Sequence, residues 1–224
     1  YFYEVIASHG DTDRELSSGV LTFKTAVRDD EPFRFAVIGD TESRPHINDH
    51  LAKQIWNERP NFVVNLGDLT YGGNEPHRYE WTYEYFVGIT QLGSRIPFFA
   101  VPGNGEGDLV WYKHYHNYPG KESYYQFRFG NAHFFMLDSN RRETDFAPGG
   151  EQYVWLEEQL SKSDATWKFV CHHHATYTGE EDDYGDSWKG PSQFGDEHVR
   201  QIVPLYEKYH VDMVLFGHLH LYER

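Results

Sequence analysis

Two stretches decide the fold: Phe35-Ala36-Val37-Ile38-Gly39-Asp40 and Phe62-Val63-Val64-Asn65-Leu66-Gly67-Asp68. Each is a short apolar run that breaks at Gly-Asp. A run of this length without polar alternation reads as a strand covered on both faces, as in a parallel sheet. Between the two, Ile47, Leu51 and Ile55 recur four apart, and Pro60 lies just beyond. That spacing predicts a helix with one apolar face. Strand, helix, strand is the opening of an α/β domain.

Outward from these stretches the pattern continues. Residues 97–101 are apolar and lead into Pro102-Gly103-Asn104; residues 168–171 run into His172-His173-His174; residues 211–216 stop at Gly217-His218. Tyr153, Leu156 and Leu160 predict a helix, as do residues 194–209 and the aromatic-rich residues 77–88. Residues 124–129 and 132–137, joined by Gly130-Asn131, predict an antiparallel hairpin. Residues 1–26 differ: two β-rich runs flank a polar segment and predict a separate hairpin, with residues 28–32 as a linker. A lone hairpin is marginal in water, so this one is expected to lean on the domain or to belong to a larger sandwich. The expected division is therefore 1–30 and 31–224, in a chain read as a portion of a longer protein.

The composition narrows the function. With 39 % hydrophobic and 17 % aromatic residues the chain has ample material for a core, and no stretch approaches the ~20 apolar residues that cross a bilayer. Thirty-five acidic against twenty basic residues give a net charge of −15, which argues against a nucleic-acid partner. It does not argue against a small phosphorylated substrate, because bound cations can reverse the local field. Cys171 is the single cysteine, so there is no intrachain disulfide; its place in an apolar run reads as a small buried side chain.

The polar residues fall in one pattern. Five apolar strands stop at groups able to bind a metal: Asp40, Asp68, Asn104, His172–His174 and His218. Sites in open α/β sheets collect at the carboxyl ends of strands. In extended backbone His218 and His220 project to the same side and can converge on neighbouring ions. The same alternation sets His172 and His174 on one side and His173 on the other, and leaves open which of them enters the site. Asp40 and Asp68 are hard oxygen donors, and one carboxylate can bridge two ions. Asn104 adds a neutral oxygen, and the phenol of Tyr71, three residues after Asp68, suits a trivalent hard ion such as Fe(III). Two metals roughly 3.5–4 Å apart clamp a phosphate and activate water near neutral pH.

These residues resemble the calcineurin-like metallophosphoesterases, and within them the purple acid phosphatases. The matching segments are Gly39-Asp40, Gly67-Asp68-Leu69-Thr70-Tyr71, Gly103-Asn104-Gly105-Glu106, His173-His174-Ala175-Thr176-Tyr177 and Gly217-His218-Leu219-His220-Leu221-Tyr222-Glu223-Arg224. They stand in the family's order across nearly all of residues 33–224. The resemblance implies a four-layer α/β/β/α sandwich, preceded by the end of a fibronectin III-like β-sandwich. It implies that Asp40, Tyr71 and His220 bind Fe(III), that Asn104, His173 and His218 bind a divalent Fe, Zn or Mn, and that Asp68 bridges the pair. The implied reaction is hydrolysis of phosphate monoesters by a metal-bound hydroxide, in a secreted or periplasmic protein. A phosphodiesterase or nucleotide hydrolase on the same cage is the alternative.

The departures from the family concern proton donors. Gly105 stands where the family has a phosphate-binding histidine, Ala175 replaces a proline, and Glu180, Glu181, Asp182 and Asp183 occupy a loop where plant members carry histidines. Three outcomes follow: the general acid falls to His174, or to His114 or His116; the substrate has a good leaving group that needs little protonation; or the chain binds metal and phosphate but turns over slowly. Activity restored by Gly105→His would show what the substitution removed.

Overall fold

Three parallel strands make the first sheet, in the order β5 (Phe35–Ile38), β6 (Phe62–Asn65), β7 (Phe98–Ala100). The second sheet has the order β11 (Met213–Leu215), β10 (Trp167–Cys171), β9 (Ala132–Met136), β8 (Tyr125–Phe129). Its strands are parallel except for the β8–β9 hairpin, which turns through Gly130 at φ 52°. Before them, β1 (Phe2–Tyr3) pairs with β4 (Leu21–Thr22), and β2 (Ile6–Ser8) pairs with β3 (Glu15–Ser17), both antiparallel. The computed structural model describes residues 1–8, 10, 14–121, 123–140, 146–180 and 194–224. Glu181, Asp182 and Asp183 of the acidic loop lie outside the described residues.

The two-residue period of the strands sorts the core into layers. Phe62 and Val64 of β6 meet Phe134 and Met136 of β9 and Cys171 of β10 between the sheets. The intervening residues face outward: Val63 packs with Ala52 and Leu92 from α1 (Pro45–Asn57) and α2 (Phe86–Gly93). On the opposite side Phe135 and Val170 pack on Leu156 and Leu160 of α4 (Glu151–Lys162), with Val199 and Leu205 from α5 (Glu197–Arg200) and α6 (Val203–Lys208). Helices, sheet, sheet, helices is a four-layer α/β/β/α sandwich.

A third cluster stands at one end of the first sheet. A π-helical turn over Glu80–Tyr85 and α3 (Val110–Tyr115) bury Trp81, Tyr85 and Tyr112 against Leu69 and Ala100. His116 belongs here: its ring stacks between Tyr112 and Tyr118, and its Nδ1 is 3.1 Å from the Tyr112 carbonyl. Burial lowers its pKa to about 4. His114 is exposed and packs edge-on to Trp111.

Helix α1 forms where the apolar spacing predicts, but its buried residues are Asn48 and Ala52; Ile47 and Leu51 are 49 % and 37 % exposed. The Asn48 amide donates to the Thr41 carbonyl just after β5, and of the predicted stripe Ile55 packs on the core beside Ala52. Among the described residues no helix is long and apolar enough to cross a membrane.

Candidate metal centre

The carboxyl ends of β5, β6, β7, β10 and β11 open onto one edge of the sandwich, and the candidate ligands sit in the turns that follow them. Four of these residues hold left-handed backbone although none is glycine: Asp40 (φ 52°), Asp68 (φ 48°), His218 (φ 76°) and His220 (φ 52°). Such conformations are rare outside glycine and persist only where the surroundings hold them; they cluster at functional sites. Backbone bonds lace the turns together. Asp40 N donates to the Gly67 carbonyl, Thr41 N to Asp68, and Gly217 N to His173. His218 N donates to both carboxylate oxygens of Asp40, at 2.9 and 3.1 Å.

His173 is the hinge of the constellation. It is fully buried, and its Nδ1 is 2.7 Å from the Leu66 carbonyl. That bond places the ring hydrogen on Nδ1 and turns the Nε2 lone pair into the site, the arrangement typical of metal-ligating histidines. Nε2 then lies 3.2 Å from Asn104 Oδ1, 3.2 Å from His218 Nδ1 and 3.3 Å from Asp68 Oδ1. Four potential ligand atoms converge, a set that a cation can hold together. Burial works to lower the His173 pKa, but Asp68 and Asp40 outweigh it and raise it to about 9. Burial likewise works to raise Asp68, but His173 outweighs it and the carboxyl falls below its ordinary value. Gly67 is required for this approach, since a Cβ there would stand 2.6 Å from His173 Nδ1 and 2.8 Å from Gly103 N.

The donors fall into three overlapping groups whose ligand atoms lie within 4.8 Å of one another: His173, His174 and His218; Asp40, Asp68 and His173; and Asp40, Glu42 and His220. Asp68 and His173 therefore stand between an oxygen-rich side and an imidazole-rich side. This mixed set of carboxylate, amide and imidazole donors fits two neighbouring ions. Tyr71 is different. It is 69 % exposed, whereas the Asp40 and Asp68 side chains are 12 % and 9 % exposed.

Two supporting groups carry no clear signal as ligands. Glu106 is fully buried and accepts from Asp68 N, Leu69 N, Thr70 N and Gly103 N, at 2.6–3.1 Å. It ties the turn after β6 to the turn after β7. Burial and the nearby Asp68 push its pKa up. The hydrogen bonds from Gly103 N and Thr70 N oppose that rise. Ser139 accepts from His173 N and His174 N, and its Oγ is 2.8 Å from His174 Nδ1. The His174 ring lies 4.7 Å from that of His218, tilted by 46°. Glu106 was visible within the Gly103–Glu106 match, and Ser139 follows β9, a sixth apolar strand ending in polar residues. Glu42 offered no signal beyond standing two residues after Asp40.

Comparison with known proteins identifies the family and the fold. The calcineurin-like phosphoesterase family model matches residues 33–222. Probable purple acid phosphatase 20 of Arabidopsis thaliana is 30 % identical over 215 residues, covering 86 % of this chain and 46 % of that protein. A purple acid phosphatase of Glycine max is 28 % identical over 245 residues, covering 100 % and 49 %. Among solved structures, a purple acid phosphatase from yellow lupin (Lupinus luteus) seeds superposes with a TM-score of 0.77 over 98 % of this chain and 43 % of that one, at 19 % identity. The chain spans about half the length of the relatives it matches. With the family's motifs at the ends of its strands and the family model spanning both sheets, this chain belongs to the calcineurin-like phosphoesterases and has purple acid phosphatases as its homologues.

Proposed function

We propose that the chain carries the catalytic centre of a binuclear-metal phosphomonoesterase of the purple acid phosphatase type, acting on small phosphorylated substrates and releasing inorganic phosphate. The observation that carries this reading is the convergence on His173 Nε2 of Asn104, Asp68 and His218 atoms, with Asp40 alongside. Asn104, His173 and His218 would hold a divalent Fe, Zn or Mn; Asp40 and His220 would hold Fe(III), for which Tyr71 is the family's further ligand; Asp68 would lie between the two. A bound metal pair supplies positive charge for the phosphate oxygens and lowers the pKa of water, which an acidic surface cannot do by itself.

The chain's own residues then have assignable tasks. Glu106 fixes the Asp68 and Gly103 backbones, so the Asp68 and Asn104 side chains keep their spacing. Ser139 already accepts two amide hydrogens, so its own hydrogen goes to His174 Nδ1. The neutral His174 ring then carries its proton on Nε2, beside His218, and His174 takes the role of proton donor to the leaving oxygen in place of the missing histidine at 105. His116, buried among aromatic rings, has no part in this.

The test compares hydrolysis of an activated aryl phosphate by the wild type with that by Asp68→Ala and His174→Ala. Loss of turnover in the first is expected. For the second, a deficit of about 10²–10⁴-fold is expected on a poorly activated alkyl phosphate and a much smaller one on the aryl ester. Equal rates for wild type and Asp68→Ala would end the proposal. The absence of a side chain at Gly105 favours a second reading, a domain that binds metal and phosphate but turns over slowly. Phosphate binding with no turnover on either ester, whatever metal is supplied, would select it over the first. Residues 1–30 are read as the end of a fibronectin III-like domain, and a secreted or periplasmic location follows from the same kinship; a diesterase or nucleotide hydrolase would show itself as a diester rate above the monoester rate.

A further inference from the structure

The Asp40 side of the centre contains a carboxylate that neither the strand-end pattern nor the family resemblance assigns. Glu42 Oε1 lies 3.4 Å from His220 Nε2, which is itself 3.4 Å from Asp40 Oδ1. The Glu42 side chain is only 13 % exposed, and its Oε2 is buried with no hydrogen-bond partner among the described residues. A buried carboxylate oxygen with nothing to accept from is destabilising unless a cation meets it. An open cleft of about 590 Å³, lined in part by Asp40, Glu42, Arg44 and His220, borders the group and gives an ion access from solvent. Tyr71, by contrast, is 69 % exposed.

Resting on the two-ion reading above, we propose that Glu42, rather than Tyr71, completes the ion site formed by Asp40 and His220, with Asp68 shared. Three carboxylates and one imidazole then face this ion. That is a harder and more negatively charged set than one with a phenolate in place of Glu42, and it suits hard cations such as Mn(II) as well as iron. It also removes the source of colour. The visible absorption of a phenolate bound to Fe(III) requires the phenolate, so an iron-loaded centre ligated by Glu42 has no Tyr71-dependent band.

The test strips the protein of metal, reloads it with excess Mn(II), removes unbound ion and counts manganese per chain. In parallel it records visible spectra after loading with Fe(III). The wild type is expected to hold two ions, Glu42→Gln one, and Tyr71→Phe two, with no visible band lost in Tyr71→Phe. Because Oε2 has no partner to lose, metal-free Glu42→Gln is expected to melt no lower than the metal-free wild type. Two ions retained by Glu42→Gln, an ion lost by Tyr71→Phe, a visible band that depends on Tyr71, or a metal-free Glu42→Gln that fails to fold would each overturn the assignment. Fewer than two ions on the wild type would instead bring down the underlying two-ion reading.

Discussion

Gly105→His is the substitution that most sharply separates this structure from the expectation carried by sequence. By sequence, the variant restores a missing catalytic histidine. In the structure a Cβ on Gly105 would stand 2.0 Å from the Thr70 carbonyl oxygen and 3.1 Å from Asp68 Oδ1. To reach an ordinary contact the two backbone segments must part by about 1.4 Å, in a site where they are tightly bonded. The Gly105 carbonyl accepts from Gly72 N at 3.0 Å, Gly73 N at 2.8 Å and Thr70 Oγ1 at 3.2 Å, and Gly105 N donates to Asp68 Oδ1 at 2.6 Å. Losing the charged bond and one or two neutral ones costs about 3–5 kcal/mol. For a domain of this size that lowers Tm by roughly 6–20 °C. Thermal denaturation followed by circular dichroism, with aryl phosphate hydrolysis measured on the same preparations, gives the comparison. The variant is expected to melt far below the wild type and to gain no activity. A Gly105→His protein that melts within about 2 °C of the wild type (less than 1 kcal/mol on the same scale) and hydrolyses faster would refute the steric argument.

Glu106→Gln keeps the shape of the side chain but turns one acceptor into a donor facing backbone N–H groups. A loss of about 3–5 kcal/mol is expected in urea denaturation of the metal-free chain, and a loss near zero would show that the carboxyl is protonated in the fold. The buried His116 and His133 both have pKa values lowered to about 4, chiefly by burial. Their unfolded value is near 6.5, so the stability they contribute is complete above that pH and is lost as pH falls toward 4, by about 1.4 kcal/mol per pH unit for each. Urea midpoints between pH 7 and 4 are expected to fall accordingly, and more shallowly in His116→Phe; an unchanged slope in that variant would count against this account.

What could be read from the sequence and what could not have different physical origins. Apolar runs such as 62–66 report burial directly, so the strands, their order and the polar residues at their ends are all legible. The face of α1 was legible only in part: Ile55 packs on the core as its spacing predicts, but Ile47 and Leu51 are exposed, and Asn48, bonded to the Thr41 carbonyl, is buried in their place with Ala52. Among the three consecutive histidines, alternation could not choose. His173 enters the centre because its Nδ1 meets the Leu66 carbonyl, a contact between residues 107 apart in the chain. Glu42 and Ser139 were invisible for a similar reason: one polar residue near a strand end says nothing until the left-handed turn at Asp40 or the end of β9 fixes its neighbours. Gly105 shows the reverse case. The sequence displays the missing histidine plainly, yet the reason for glycine there lies in Thr70, thirty-five residues earlier.

Elemental analysis of the purified protein shows whether these side chains hold two adjacent cations. Two transition-metal ions per chain are expected in the wild type and at most one in Asp68→Ala, since Asp68 stands between both groups of donors. A wild type that holds no metal after loading, or an Asp68→Ala variant that keeps both ions, would contradict the two-ion reading.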